Sequence, residues 1–206
     1  MATNSHGPKL HVGCGDKRLE GWVNIDNQDL PGVDLVADVT GGLEFKNCQA
    51  VYAEHFLEHL AIDDALSFME ESHRVLADGG VLRLSTPNLD WVWKTHYYLG
   101  AEADLKTQMA IHLNRAFHGW EHQFLWNREI LGRALVACGF EDLRWHRWGE
   151  SERPLFQKLE RHETYEDDDE LPHVLIVEAT KGSSRRGDLK ELRAMIQRDF
   201  LNHMKG

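Results

Sequence analysis

Cysteine is scarce in this chain: Cys14, Cys48 and Cys138 are the three it has among 206 residues. An odd number with no C-x-x-C spacing offers no disulfide framework and reads as free thiols in a reducing cytoplasm. Long apolar runs are missing as well. None approaches the length that spans a bilayer, and residues 1–8 are too polar for a secretory signal. Positive charge is in deficit: 23 Lys and Arg stand against 34 Asp and Glu, a net of -11. That argues against a nucleic-acid partner, since such binding leans on basic side chains. No internal repeat is visible. What is present, 42% hydrophobic residues, is enough for a packed core and suits one α/β domain with an appendage.

The rest of the chain is organised around residues 9–26, KLHVGCGDKRLEGWVNID. The pattern predicts an apolar strand at 10–12 that runs into the tight turn Gly13-Cys14-Gly15, and a second strand at 22–25 that ends on Asp26. Ligands of open α/β sheets bind beyond the carboxyl ends of the strands. Glycine lets the backbone approach a ligand, because no Cβ intervenes. A carboxylate at the end of the second strand can accept hydrogen bonds from a ribose diol. The stretch therefore reads as the floor of a nucleoside-type cofactor site. Only residues 16–21 separate the two strands, too few for a crossover helix, which needs about ten or more in the whole connection.

Further strands are expected at 34–38, ending on Asp38, at 50–53, and at 81–85. Residues 62–77 have apolar side chains at helical spacing, with Asp78-Gly79-Gly80 as the stop. Strands and helices alternate, which implies a mainly parallel, doubly wound α/β sheet. Residues 89–126 break the alternation and read as one or two helices, about 90–99 and 101–116. The chain has seven Trp, four Tyr and eight Phe, and eight of these aromatics fall in that segment. It reads as a satellite core, a lid or an acceptor wall. Asn127 should cap a helix to Cys138, with Leu131, Leu135 and Val136 on its apolar face and Gly139 as its stop. Strands at 140–148 and 173–179 close the sheet. The acidic run Glu166–Glu170, within the charged stretch 155–171, reads as a solvated loop. The expected organisation is a disordered leader at 1–8, the main domain at 9–181, a linker at 182–187 and an amphipathic helix at 188–206 opened by Asp188. That helix docks on its own domain or contacts a second copy as a homodimer.

With these pieces in order, the chain resembles the class I S-adenosylmethionine-dependent methyltransferases. Within them it resembles the small type 11 group, bacterial methyltransferases often linked to surface-polysaccharide genes. The resemblance rests on Leu10-His-Val-Gly-Cys-Gly15, Gly21-Trp-Val-Asn-Ile-Asp26, Ala37-Asp38, His55-Phe-Leu-Glu-His-Leu60, residues 71–88 and the Gly-Phe at 139–140. It implies a Rossmann-like sheet of seven strands in the order 3-2-1-4-5-7-6 with strand 7 antiparallel. It also implies cytoplasmic methyl transfer from S-adenosylmethionine to a small-molecule or glycan acceptor, foremost a hydroxyl, leaving S-adenosylhomocysteine. His11, Gly13, Cys14, Gly15, Asp26, Asn27, Asp38, Val39 and Glu54 would line the cofactor site. In that reading Asp26 holds the ribose, Asp38 the adenine amino group, and Glu54 and His55 border the methionine end. The chain departs from the family at His11, where an acidic residue is common, at Lys17, where a third glycine is frequent, and in the first crossover.

Transfer from a sulfonium is an in-line displacement that needs alignment and exclusion of water. A base is needed only for an acceptor that must lose a proton. His55 is the first candidate, then His118 and His122. Two other readings remain open on the residues alone. One is a protein that binds S-adenosylmethionine without turnover. The other is a zinc hydrolase, because His55-Phe-Leu-Glu58-His59 spells H-x-x-E-H. No third zinc ligand is identifiable, and no metal is expected.

Overall fold

The computed structural model describes residues 7–161, 170–183 and 189–204. Most of the acidic run and Asp188 lie outside the described residues. The strands are β1 (Lys9–Val12), β2 (Val23–Asp26), β3 (Leu35–Val36), β4 (Cys48–Glu54), β5 (Leu76–Pro87), β6 (Phe140–His146) and β7 (Val174–Lys181). They form one sheet in the order β3-β2-β1-β4-β5-β7-β6. β1 to β5 are parallel, and β7 runs antiparallel between β5 and β6. This is the order the resemblance implies.

Successive side chains of a strand point to opposite faces. Leu10 and Val12, Val51 and Ala53, Leu82 and Leu84, and Val177 and Ala179 enter the main core. α1 (Ile62–Val75), α4 (Arg128–Ala137) and α5 (Leu189–Ile196) cover them, contributing Leu66, Leu131 and Leu192 among others. The α5 stripe therefore docks on its own domain. Arg193 adds ion pairs to Asp63 and Glu70 of α1. No described helix is long and apolar enough to cross a membrane.

The alternate residues His11, Tyr52, Arg83 and Glu178 are also buried. The loops at 13–22 and 27–34 are too short to lay helices over them. The excursion after β6 covers this face instead. A 3-10 turn, Pro154–Phe156, sets the buried Phe156 6.2 Å from the Trp22 ring. Arg83 then ties the excursion to the sheet. Its Nε donates to Glu160 Oε1 at 2.7 Å, its Nη1 to Glu178 Oε1 at 2.6 Å, and its Nη2 to the Glu150 carbonyl at 2.9 Å. Arg153 and Ser151 also donate to Glu178. A guanidinium withdrawn from water is tolerable only with such partners.

Several local expectations need correction. The strand after α1 begins at Leu76, so Asp78-Gly79-Gly80 lies within β5. Leu76 pairs with Cys48 and draws the chain straight into the sheet. The charged stretch is not wholly solvated, since Phe156 and Glu160 are buried. Val136 is 38% exposed, being one residue round the helix from the buried Leu135. Glu58 and His59 lie in a separate 3-10 turn, Leu57–His59, ahead of α1. Asn127 does cap α4, accepting from the Ile130 N–H at 3.1 Å.

Candidate functional site

The glycine bend is built by two residues in the left-handed region. Gly13 has φ +64° and Gly15 φ +53°, a conformation costly for any residue with a Cβ. Between them Cys14 is buried, and its N–H reaches the Ile25 carbonyl at 3.2 Å. The Gly15 N–H donates to Asp26 Oδ2 at 2.8 Å, and the Gln28 N–H donates to Oδ1 at 3.0 Å. Asp26 is thus locked across the mouth of the bend, with lone pairs to spare on both oxygens. Among the described residues no atom stands within 4 Å of where a Cβ on Gly15 would be, whereas one on Gly13 would strike Phe56 at 2.5 Å. One glycine packs against protein and the other faces open space.

Asp38 follows β3 and is exposed. The Thr40 hydroxyl at 2.7 Å and its N–H at 2.9 Å hold the Asp38 carboxyl below the ordinary carboxylate range. Val39 beside it is buried and Asn27 exposed. The chain joins the two strand ends, since the Ala37 N–H donates to the Asp26 carbonyl at 2.9 Å.

His11 lies two residues before the bend, and its surroundings define its protonation. Asn24 Oδ1 accepts from the Leu19 N–H, and its amide nitrogen faces the carbonyls of Leu19 and Trp22. His11 Nδ1, 3.0 Å from that same oxygen, therefore carries the proton. Nε2 is left to accept from Arg161 Nη2 at 3.1 Å. Burial pushes the His11 imidazole down to about 4, and the Arg161 charge pushes the same way. Arg161 also holds Glu54 at the end of β4: its N–H donates to Oε1 at 2.6 Å, and its Nε lies 3.4 Å from Oε2. Beside the bend, then, a neutral imidazole, a carboxylate and a guanidinium meet.

The segment after β4 forms the other half of the site. His55 adopts φ +46°, a strained conformation for a non-glycine residue. Its N–H donates to the Ser85 carbonyl at 3.0 Å, and its Nδ1 lies 3.1 Å from Glu58 Oε1. Glu58 is fully buried, and Thr86 donates to its Oε2 at 3.0 Å. Burial pushes the Glu58 carboxyl up, but the His55 contact, the backbone and His59 together bring it below its ordinary value. Because 55–59 is not an α-helix, His55 and His59 do not present one helical face. The hydrolase arrangement suggested by H-x-x-E-H is not formed. His59 faces His122 instead, with ring centroids 5.1 Å apart.

The aromatic segment divides. α2 (Leu89–His96) and α3 (Ala103–His118) project from the sheet, with Trp93, Tyr98 and Trp120 exposed, while Trp126 is wholly buried in the main core. Its base is anchored where the Leu89 N–H donates to the Trp126 carbonyl at 2.8 Å. His118 ends α3 in an exposed position, and His122 is the histidine that the chain returns to the end of β4. Sequence reasoning missed Arg161, Thr86 and the Arg83 cluster. Only Arg83 carried a signal, a cation inside the apolar strand VLRLS.

No family model matches the chain, and no curated protein matches it. Among solved structures it is similar to an S-adenosylmethionine-dependent methyltransferase of Thermotoga maritima, at 16% identity over 85% of this chain and 82% of that one, with a TM-score of 0.56. A second, from Archaeoglobus fulgidus, is 16% identical over 86% of this chain and 87% of that one, with a TM-score of 0.54. A third, from Methanosarcina mazei, is 15% identical over 87% and 94%, with a TM-score of 0.50. At such identity the likeness is one of fold, and the fold is that of the S-adenosylmethionine-dependent methyltransferases.

Proposed function

We propose that this chain transfers a methyl group from S-adenosylmethionine to a small-molecule or glycan acceptor, foremost a hydroxyl. The observation that carries the reading is Asp26, tied to the Gly15 N–H across an open glycine bend. The residues suit the cofactor. Asp26 would hold the ribose hydroxyls, with Asp38 at the adenine edge beside Val39 and Asn27. The bend at Gly13, Cys14 and Gly15 lets a nucleoside lie against backbone. The methionine end would meet Arg161 with its carboxylate and Glu54 with its ammonium. His11, neutral, then acts through Arg161 rather than as a charged contact.

When bound, the cofactor supplies an activated methyl with a good leaving group. The protein's part is alignment and exclusion of water, which can lower a barrier by about 7 kcal/mol or more when the geometry is good. His55, at the junction of the β4 and β5 ends, is the proposed base for a hydroxyl proton. Its backbone strain, at φ +46°, supports a functional reason for that position. His118 would serve only if α3 swings inward. Calorimetry with S-adenosylmethionine and S-adenosylhomocysteine tests the reading. Micromolar binding of both is expected, and no binding of either at millimolar concentration removes it.

A further inference from the structure

We propose a divalent-metal site made by Glu58, His59 and His122, with zinc as its occupant. One ligand atom from each of the three lies within 4.8 Å of the other two. The set has two imidazoles and one carboxylate. That matches three-ligand zinc sites that keep an open position, and it disfavours magnesium, which prefers oxygen.

The surrounding structure holds each donor in place. His122 Nδ1 stands 2.7 Å from the Ala116 carbonyl, which only accepts. Nδ1 therefore carries the proton and Nε2 keeps its lone pair, the usual arrangement of a metal-bound histidine. Glu58 is oriented by Thr86 on Oε2 and His55 beside Oε1. The two halves of the site are stapled by backbone. The Gln123 N–H donates to the Glu58 carbonyl at 2.7 Å, the Phe124 N–H to the same oxygen at 3.3 Å, and Gln123 Nε2 to the His59 carbonyl at 2.7 Å. Glu121, at φ +61°, turns the chain so that His122 faces His59. Zinc would hold each donor at about 2.0–2.2 Å. His55 takes no coordinating part and acts as an outer partner of Glu58.

The site lies where β4 and β5 end. On the methyltransferase reading, on which this part of the inference rests, that is the acceptor side. An open zinc position there suits an oxygen ligand, so the acceptor would be a hydroxyl or vicinal diol bound through the metal.

The test uses the whole chain, freed of metal by chelation and titrated with zinc chloride by calorimetry. One zinc per chain is expected. His59→Ala and His122→Ala should each lose more affinity than the roughly 10- to 100-fold that loss of an outer partner costs, while His112→Ala should lose none. In the wild type, imidazole nitrogen NMR needs no substitution, and one equivalent of zinc should shift His59 and His122 most, with a smaller shift at His55 through Glu58. S-adenosylhomocysteine affinity should be unchanged in His122→Ala. Absence of stoichiometric zinc, equal binding by His122→Ala, or largest shifts at histidines other than His59 and His122 would each overturn the site. Zinc binding without any S-adenosylhomocysteine binding would leave the metal site standing and remove the cofactor reading.

Discussion

Arg161 lies 150 residues along the chain from His11, and its Nη2 stands 3.1 Å from His11 Nε2. The same residue closes on Glu54 at the end of β4. A cation is thereby brought beside the buried imidazole that precedes the glycine bend. If Arg161 holds the methionine carboxylate, Arg161→Ala should weaken S-adenosylhomocysteine by about 10-fold or more, the worth of a charged hydrogen bond. It should leave 5′-methylthioadenosine, which has no carboxylate, unchanged. Equal losses for both ligands in calorimetry would assign Arg161 a purely architectural role.

Asp26→Ala removes the carboxylate that spans the glycine bend. Ribose binding is expected to fall by about 1.5–3 kcal/mol, roughly 10- to 150-fold in Kd. Titration with S-adenosylhomocysteine reads this directly, and wild-type affinity would show that the ribose lies elsewhere.

The two bend glycines should separate on substitution. Gly13→Ala meets Phe56 at 2.5 Å as well as an unfavourable φ, and should unfold or melt far earlier. Gly15→Ala meets no atom of the described residues, so it should cost only the left-handed penalty of roughly 1–2 kcal/mol. Its larger effect should be on ligand binding, because the new methyl enters the open space. Thermal melts paired with calorimetry distinguish the two. A Gly15→Ala protein that binds normally would place the nucleoside away from the bend.

Arg83→Ala leaves Glu160 and Glu178 facing each other's charge in the interior. A loss of about 3–5 kcal/mol is expected in denaturant unfolding. Arg161 adjoins Glu160 in the chain, so cofactor affinity should fall as well. Loss of stability without loss of affinity would uncouple the excursion from the site.

Acid should destabilise the fold through His11. The native imidazole takes its proton only below about 4, while the unfolded chain takes one below about 6.5. Between those values the unfolded state binds more protons, so stability rises with pH across the window and is complete above it. The shift corresponds to roughly 3 kcal/mol. His59, His96 and His146, all lowered by burial, act in the same direction. His11→Gln should flatten the slope of unfolding free energy between pH 4 and 6.5; an unaltered slope would assign it to the other histidines.

Much of this molecule was legible before any coordinates. The glycine bend, Asp26, Asp38 and the alternation of strands and helices are written in contiguous residues, where local sterics and hydrophobic period act over a few positions. The Asn127 cap and the C-terminal stripe are local in the same sense. What the chain could not display was any relationship made by return of a distant segment. The end of the cover, from 155 on, read as part of a charged stretch, because its apolar anchor Phe156 is a single residue and the partner of Glu160 lies in β5. Arg161 has no motif, and its meaning is its distance from His11 and Glu54. His122 read as a reserve base among 13 histidines, and only the staple from Gln123 to Glu58 set it against His59. Sequence alone determines what short-range geometry and periodicity encode. Only the tertiary structure decides which buried charges and imidazoles meet, because their partners are chosen by the packing of segments that lie tens of residues apart.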